Sequence, residues 1–174
     1  ASWRRAFWKA PVISSPETPE TVKVHVLKQE QRLPICREQA WEFFSTPRNL
    51  DFITPPDAGF EVTYLSAEEM YEGQIITYRA KVIPLVATTW VTEIKSVKEG
   101  HSFIDEQRFG PYRLWHHRHT FEDIEGGVLM TDLVHYVMPM GFIGEIARWW
   151  FVEEKLRRVF DFRRQVLEGK FGKM

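Results

Sequence analysis

The chain has 174 residues, enough for one domain, and 44% of them are hydrophobic. Its 23 Lys and Arg nearly cancel its 24 Asp and Glu, so no net field favours nucleic acid as a partner. The lone cysteine, Cys36, excludes an internal disulfide or a multi-cysteine metal site and suits a reducing compartment. No apolar run approaches the ~20 residues needed to span a bilayer, and the expectation is a cytoplasmic protein with no membrane span. Seven Trp and thirteen Phe are rings enough for a large core or for the lining of an apolar pocket.

Residues 1–20 read as an N-terminal arm outside the domain: Trp3, Phe7 and Trp8 among basic residues, then Pro11, Ser14, Ser15, Pro16 and Pro19. A secretory signal would need a longer apolar region than these residues hold, so none is expected in them. The domain is expected over residues 21–171. It opens with a strand in which Val22, Val24 and Val26 alternate with Lys23, His25 and Leu27, leaving one wet face. Pro34 ends it. Ala40, Trp41, Phe43 and Phe44 then stand at helical spacing between Cys36 and Pro47, and a second helical piece over 48–53 runs into the forced bend Thr54-Pro55-Pro56.

Short strands follow over 60–65 and 74–82, the latter running towards a bulge or edge near Pro84. The 87–97 strand opposes Trp90, Thr92 and Ile94 to Glu93 and Lys95. The segment 103–121 reads as two strands joined at Gly110-Pro111. Alternation places Phe103, Asp105, Gln107 and Phe109 on one face of the first, and Trp115, His117, His119 and Phe121 on one face of the second. The other face, with Glu106, Arg108, His116, Arg118 and Thr120, suits water. Gly126-Gly127 signals a hairpin into the last strand, 128–138, whose two faces are both apolar enough that neither can be placed inward. A long helix over about 143–168 carries Phe142, Ile146, Trp149, Leu156, Phe160, Arg163 and Leu167 near one stripe.

Consecutive strands with short turns predict an antiparallel meander, and one long helix with an aromatic stripe must cover its concave face, giving an α+β architecture. These residues resemble the SRPBCC superfamily of START domains, the birch-pollen allergen and polyketide cyclases, and in particular its bacterial ligand-binding branch. The matching positions are Leu33-Pro34, Trp41-Glu-Phe-Phe-Ser45, Asn49-Leu50, Ile53-Thr-Pro-Pro56 and Tyr71-Glu-Gly73. They continue through Trp90, the Phe103-x-Asp-x-Gln frame, Gly110-Pro-Tyr112, Trp115-x-His-x-His-x-Phe121, Asp132 with Tyr136, and Pro139-x-Gly141. The resemblance implies a helix-grip fold, a curved antiparallel sheet wrapped around a long C-terminal helix with two short helices after the first strand. The superfamily hosts carriers, cyclases, hydrolases and regulators on that scaffold, so the resemblance selects no single activity.

An apolar face that also holds Asp105, Gln107, His117 and His119 needs partners for each buried polar group. Either these residues satisfy one another or they line a cavity with Trp90, Phe103, Phe109, Trp115, Trp149, Leu156 and Phe160. The leading reading is binding of a small hydrophobic molecule, such as a lipid, quinone or polyketide, in a cavity between sheet and helix. The alternative is acid–base catalysis of the cyclase or dehydratase kind by His117, His119 and Asp105, with Tyr78, Tyr112 or Tyr136 polarising a carbonyl. A protein-interaction or regulatory module using the N-terminal arm is a third reading.

Two His and a carboxylate, with Asp132 across the sheet, also resemble a metal shell. His-x-His arises easily on a strand, however, and neither metal nor cofactor is expected. Cys36 is expected to be buried. Arg79 and Arg163 are the cations that could face the cavity. Walker, Gly-x-Ser-x-Gly and His-Glu-x-x-His motifs are all missing. The expected partner is a small hydrophobic molecule, with a homodimer left open.

Overall fold

The computed structural model describes residues 22–83, 86–139 and 152–174. The N-terminal arm, Pro84, Trp149 and the first part of the expected long helix lie outside the described residues. Seven strands form one antiparallel sheet: β1 (His25–Leu33), β2 (Glu61–Leu65), β3 (Ile75–Ile83), β4 (Val86–Lys98), β5 (Ser102–Phe109), β6 (Leu114–Ile124) and β7 (Gly127–Val137). Their order is β1-β7-β6-β5-β4-β3-β2, so six consecutive strands form a meander and the first returns beside the last. Between β1 and β2 stand α1 (Arg37–Phe44), α2 (Asn49–Phe52) and a 3-10 turn at Pro56–Ala58; α3 (Glu153–Phe171) closes the chain.

Each element follows from local chemistry. Pro34 stops β1. Cys36 caps α1, with the Gln39 side chain accepting hydrogen bonds from its backbone N–H at 3.2 Å and from its thiol at 3.4 Å. That capping position lies on the surface, so Cys36 is exposed, not buried as its residue type suggested. Gly172, at φ 99°, ends α3 and donates its N–H to Glu168 O at 2.9 Å; only glycine takes that conformation without strain.

The valine side of β1 is the wet one. Val26 is exposed, whereas Leu33 and Gln31 are buried, because Leu27, Gln31 and Leu33 share the concave face. In β7 the inward face is Val128, Met130, Asp132, Val134 and Tyr136, all buried. One end of the concave side is filled by aromatic packing from α1. Trp41 meets Phe103 and Phe121 edge-on at 6.0 and 6.1 Å, and Phe44 packs on Phe121 at 5.4 Å. Phe121 is among the most deeply buried side chains, a burial that contributes about 1.5–3 kcal/mol. Helix α3 presents Leu156, Phe160, Arg163 and Leu167 to the sheet. Arg164 ties it to β1 by donating to Gln29 Oε1 and Glu30 O, while Gln31 donates to Arg164 O. Among the described residues no helix is long and apolar enough to cross a membrane.

Candidate functional site

His117 and His119 stand two apart on the inner strand β6, so their rings rise together from the concave face, with centroids 3.8 Å apart. Pairing places Asp105 of β5 opposite His117, and Asp132 of β7 opposite His119. One oxygen of each carboxylate thus lies within reach of both rings. Asp105 Oδ2 is 3.1 Å from His117 Nδ1 and 2.9 Å from His119 Nε2. Asp132 Oδ1 is 2.9 Å from His117 Nε2 and 2.8 Å from His119 Nδ1, the last contact lying off the axis a hydrogen bond needs. The outer oxygens are held too: Trp115 Nε1 donates to Asp105 Oδ1 at 3.1 Å, and Arg163 Nη1 of α3 reaches Asp132 Oδ2 at 3.5 Å. Phe103 stacks on His119 at 4.2 Å, and Arg163 lies over the Phe160 ring at 5.1 Å.

Electrostatics agrees with this geometry. Burial alone would lower the pKa of His117, but the charge of Asp105, followed by hydrogen bonds to Asp105 and Asp132, pushes it up to about 9. An imidazolium donates from both nitrogens, which is what a ring held between two carboxylates requires. Burial acts to raise Asp105, yet the charge and hydrogen bond of His117 and the hydrogen bond from His119 hold it well below the usual carboxylate range. Asp132 is also held well below that range, as the hydrogen bond from His117, the close approach of His119 and the Arg163 charge outweigh its burial. Burial pushes the Tyr78 and Tyr112 hydroxyls far above their ordinary value.

Beside this network the sheet, α1, α2 and α3 line a partly open cavity of about 180 Å3 with predominantly apolar walls. Of the residues singled out from sequence, Trp90, Phe103, Asp105, Trp115, His117, His119, Leu156 and Phe160 line it. Two do not. Phe109 is 65% exposed: Thr92 pairs with Gln107 and Val91 with Phe109, so Arg108 is an extra residue that bulges β5 and turns Phe109 to the convex side. Gln107 is corrected as well. Its side chain clasps the turn, donating to Tyr112 O at 2.6 Å and accepting from Tyr112 N at 3.2 Å. Tyr136 is buried on the concave face but is not part of the cavity wall, where Tyr78 and Tyr112 are. Arg79 points outward, whereas Arg163 faces in.

Sequence reasoning missed the wall formed by Phe43, Leu50, Ile53 and Phe60, because only tertiary packing brings α1 and α2 over the sheet. The nitrogens and oxygen of Asp105, His117 and His119 converge within 4.8 Å, a spacing that a metal ion could share. The same atoms are occupied by one another as donors and acceptors.

No family model matches the chain, and no curated protein matches its sequence. Many solved structures match its fold. The Zhui aromatase/cyclase from Streptomyces sp. R1128 superposes with a TM-score of 0.66 at 12% identity, covering 85% of this chain and 93% of its own. Major latex-like protein 151 from Panax ginseng gives 0.61 at 13%, covering 85% and 97%. Ara h 8.0201 gives 0.59 at 13%, covering 86% and 98%. The class is therefore defined by architecture: a seven-stranded curved sheet gripping a C-terminal helix. It is the helix-grip fold, as the sequence resemblance implied.

Proposed function

We propose that this protein binds a small hydrophobic molecule, of lipid, quinone or polyketide type, in the cavity between sheet and α3. The observation that carries the reading is a walled, largely apolar cavity beside a polar network whose carboxylates are already satisfied from within the protein. A core that needed its polar groups only for packing would have no such space beside them, and apolar walls with a few fixed polar groups are the usual make-up of a ligand site. The volume exceeds the apolar cavity of about 150 Å3 known to accept benzene.

A lipophilic fluorescent dye such as N-phenyl-1-naphthylamine tests this directly. Ala80 is buried on β3 and lines the cavity. Ala80→Phe should fill the space and abolish dye uptake in a protein that still unfolds cooperatively. Uptake that survives Ala80→Phe, or fails in the unaltered chain, would sink the reading.

The acid–base alternative rests on Asp105 and His119 at the cavity wall. His117 is poorly suited to it, since both its nitrogens face carboxylates and a pKa near 9 keeps it protonated at neutral pH. Turnover of a cyclisable polyketone that His119→Gln abolishes without loss of stability would favour catalysis.

A further inference from the structure

Three cavity-lining side chains carry a buried nitrogen that meets no hydrogen-bond partner among the described residues: Trp90 Nε1, Arg163 Nε and His119 Nδ1. Of these, Trp90 Nε1 and Arg163 Nε can only donate, whereas His119 Nδ1 already stands 2.8 Å from Asp132 Oδ1. Trp90 is 9% exposed and Arg163 6%. The carboxylates of the network are already engaged: Trp115 and the two histidines meet Asp105, while His117 and Arg163 meet Asp132. The Trp90 ring is held edge-to-face against Trp115 at 5.1 Å and Tyr112 at 5.5 Å, so it is fixed by its neighbours. A buried unpaired N–H has lost its hydration without replacement, a penalty that a guest supplying an acceptor would relieve.

Charge narrows the class of guest. The carboxylates of Asp105 and Asp132 are matched by the guanidinium of Arg163 and the imidazolium of His117. Beside this balanced network an anionic guest would add a buried charge, whereas a neutral oxygen adds none; the wall's further cations, Lys81 and Lys155, lie on β3 and α3, where Lys155 donates to Lys81 O.

We propose that the cavity selects neutral carbonyl compounds, aryl ketones or quinones, whose oxygen accepts a hydrogen bond from Trp90 Nε1. This inference rests on the binding reading above and names the chemistry of its ligand. Arg163 Nε offers a second donor on the α3 side.

The test is displacement of the bound dye from the full chain by three molecules of one shape: tetralin, 1-tetralone, and the carboxylate of tetralin-1-carboxylic acid. The ketone should bind roughly tenfold more tightly than the hydrocarbon, the usual difference for one buried hydrogen bond. The acid should bind more weakly than the ketone. In Trp90→Phe, which keeps a ring but removes the N–H, the ketone-to-hydrocarbon ratio should fall to about one.

Equal binding of ketone and hydrocarbon by the unaltered chain overturns the inference, as does tightest binding of the acid or a ratio unmoved by Trp90→Phe. In those cases dye uptake, and with it the binding reading, still stands. If the dye enters but none of the three displaces it, the carbonyl inference alone falls. Failure of the dye itself to bind removes both. The ratio measured on the unaltered chain decides the matter even if Trp90→Phe does not fold.

Discussion

His117 and Asp132 lie on neighbouring strands with Nε2 and Oδ1 2.9 Å apart, both almost wholly buried, and each also engages a second charged partner. Removing the carboxylate leaves the His117 and Arg163 cations uncompensated in the interior. Asp132→Ala should therefore lower unfolding free energy by about 3–5 kcal/mol, the range for breaking a buried ion pair from one side. Asp132→Asn keeps the volume and an acceptor and should cost less. Urea midpoints of the two variants check this; equal stability of Asp132→Ala and the unaltered chain would contradict it.

Stability should fall on the alkaline side. His117 has a folded pKa of about 9 against 6.5 in the unfolded chain. A raised pKa contributes stability that is fully present below 6.5 and is lost as pH rises through 9. The contribution is about 3 kcal/mol, since each pH unit of difference corresponds to about 1.4 kcal/mol. Asp105 and Asp132 act in the opposite sense: their depressed values stabilise the fold above 3.8 and lose effect only in strong acid. Urea unfolding at pH 6, 8 and 10 should show a decline across that window, and His117→Gln should flatten it. A profile in His117→Gln as steep as in the unaltered chain would assign the decline to other groups.

The inward parity of β6 was legible because Trp115-x-His-x-His-x-Phe121 alternates without interruption, and the stripe of α3 was legible from the spacing of Leu156, Phe160, Arg163 and Leu167. Alternation failed where pairing intervened. The position of Phe109 depends on a bulge opposite Val91 and Thr92, which no property of β5 alone announces. The inward face of β7 could not be chosen because both its faces are apolar; it is fixed by the ladders to β1 and β6. Asp132 was legible as an available carboxylate, but not as the group that bridges both histidines and receives Arg163. That role requires the diagonal placement of Asp105 and Asp132 across β6.

The exposed ring of Phe109 gives a further check. Because it stands on the convex side, Phe109→Ser should leave stability within about 0.5 kcal/mol of the original and dye affinity unchanged. A clear loss of dye binding would return Phe109 to the ligand site and contradict the bulge.

The turn between β5 and β6 holds the last testable relationship. Gly110 packs so closely on Gln107 that a Cβ there would lie 2.5 Å from Oε1, the atom that accepts the Tyr112 N–H. Gly110→Ala should displace the Gln107 amide, break both of its hydrogen bonds to the Tyr112 backbone and cost roughly 1–3 kcal/mol. Gln107→Ala removes the clasp directly and should cost a similar amount. If the two effects share this cause they will not add, and Gly110→Ala should cost much less once Gln107 is already alanine. Chemical denaturation of the two single variants and the double variant measures that coupling, and strict additivity would show that Gly110 serves the turn by some other route. Because Tyr112 lines the cavity and packs on Trp90 and Trp115, the single variants should also weaken dye binding. The clasp thus links a turn on the surface to the aromatic wall beneath it.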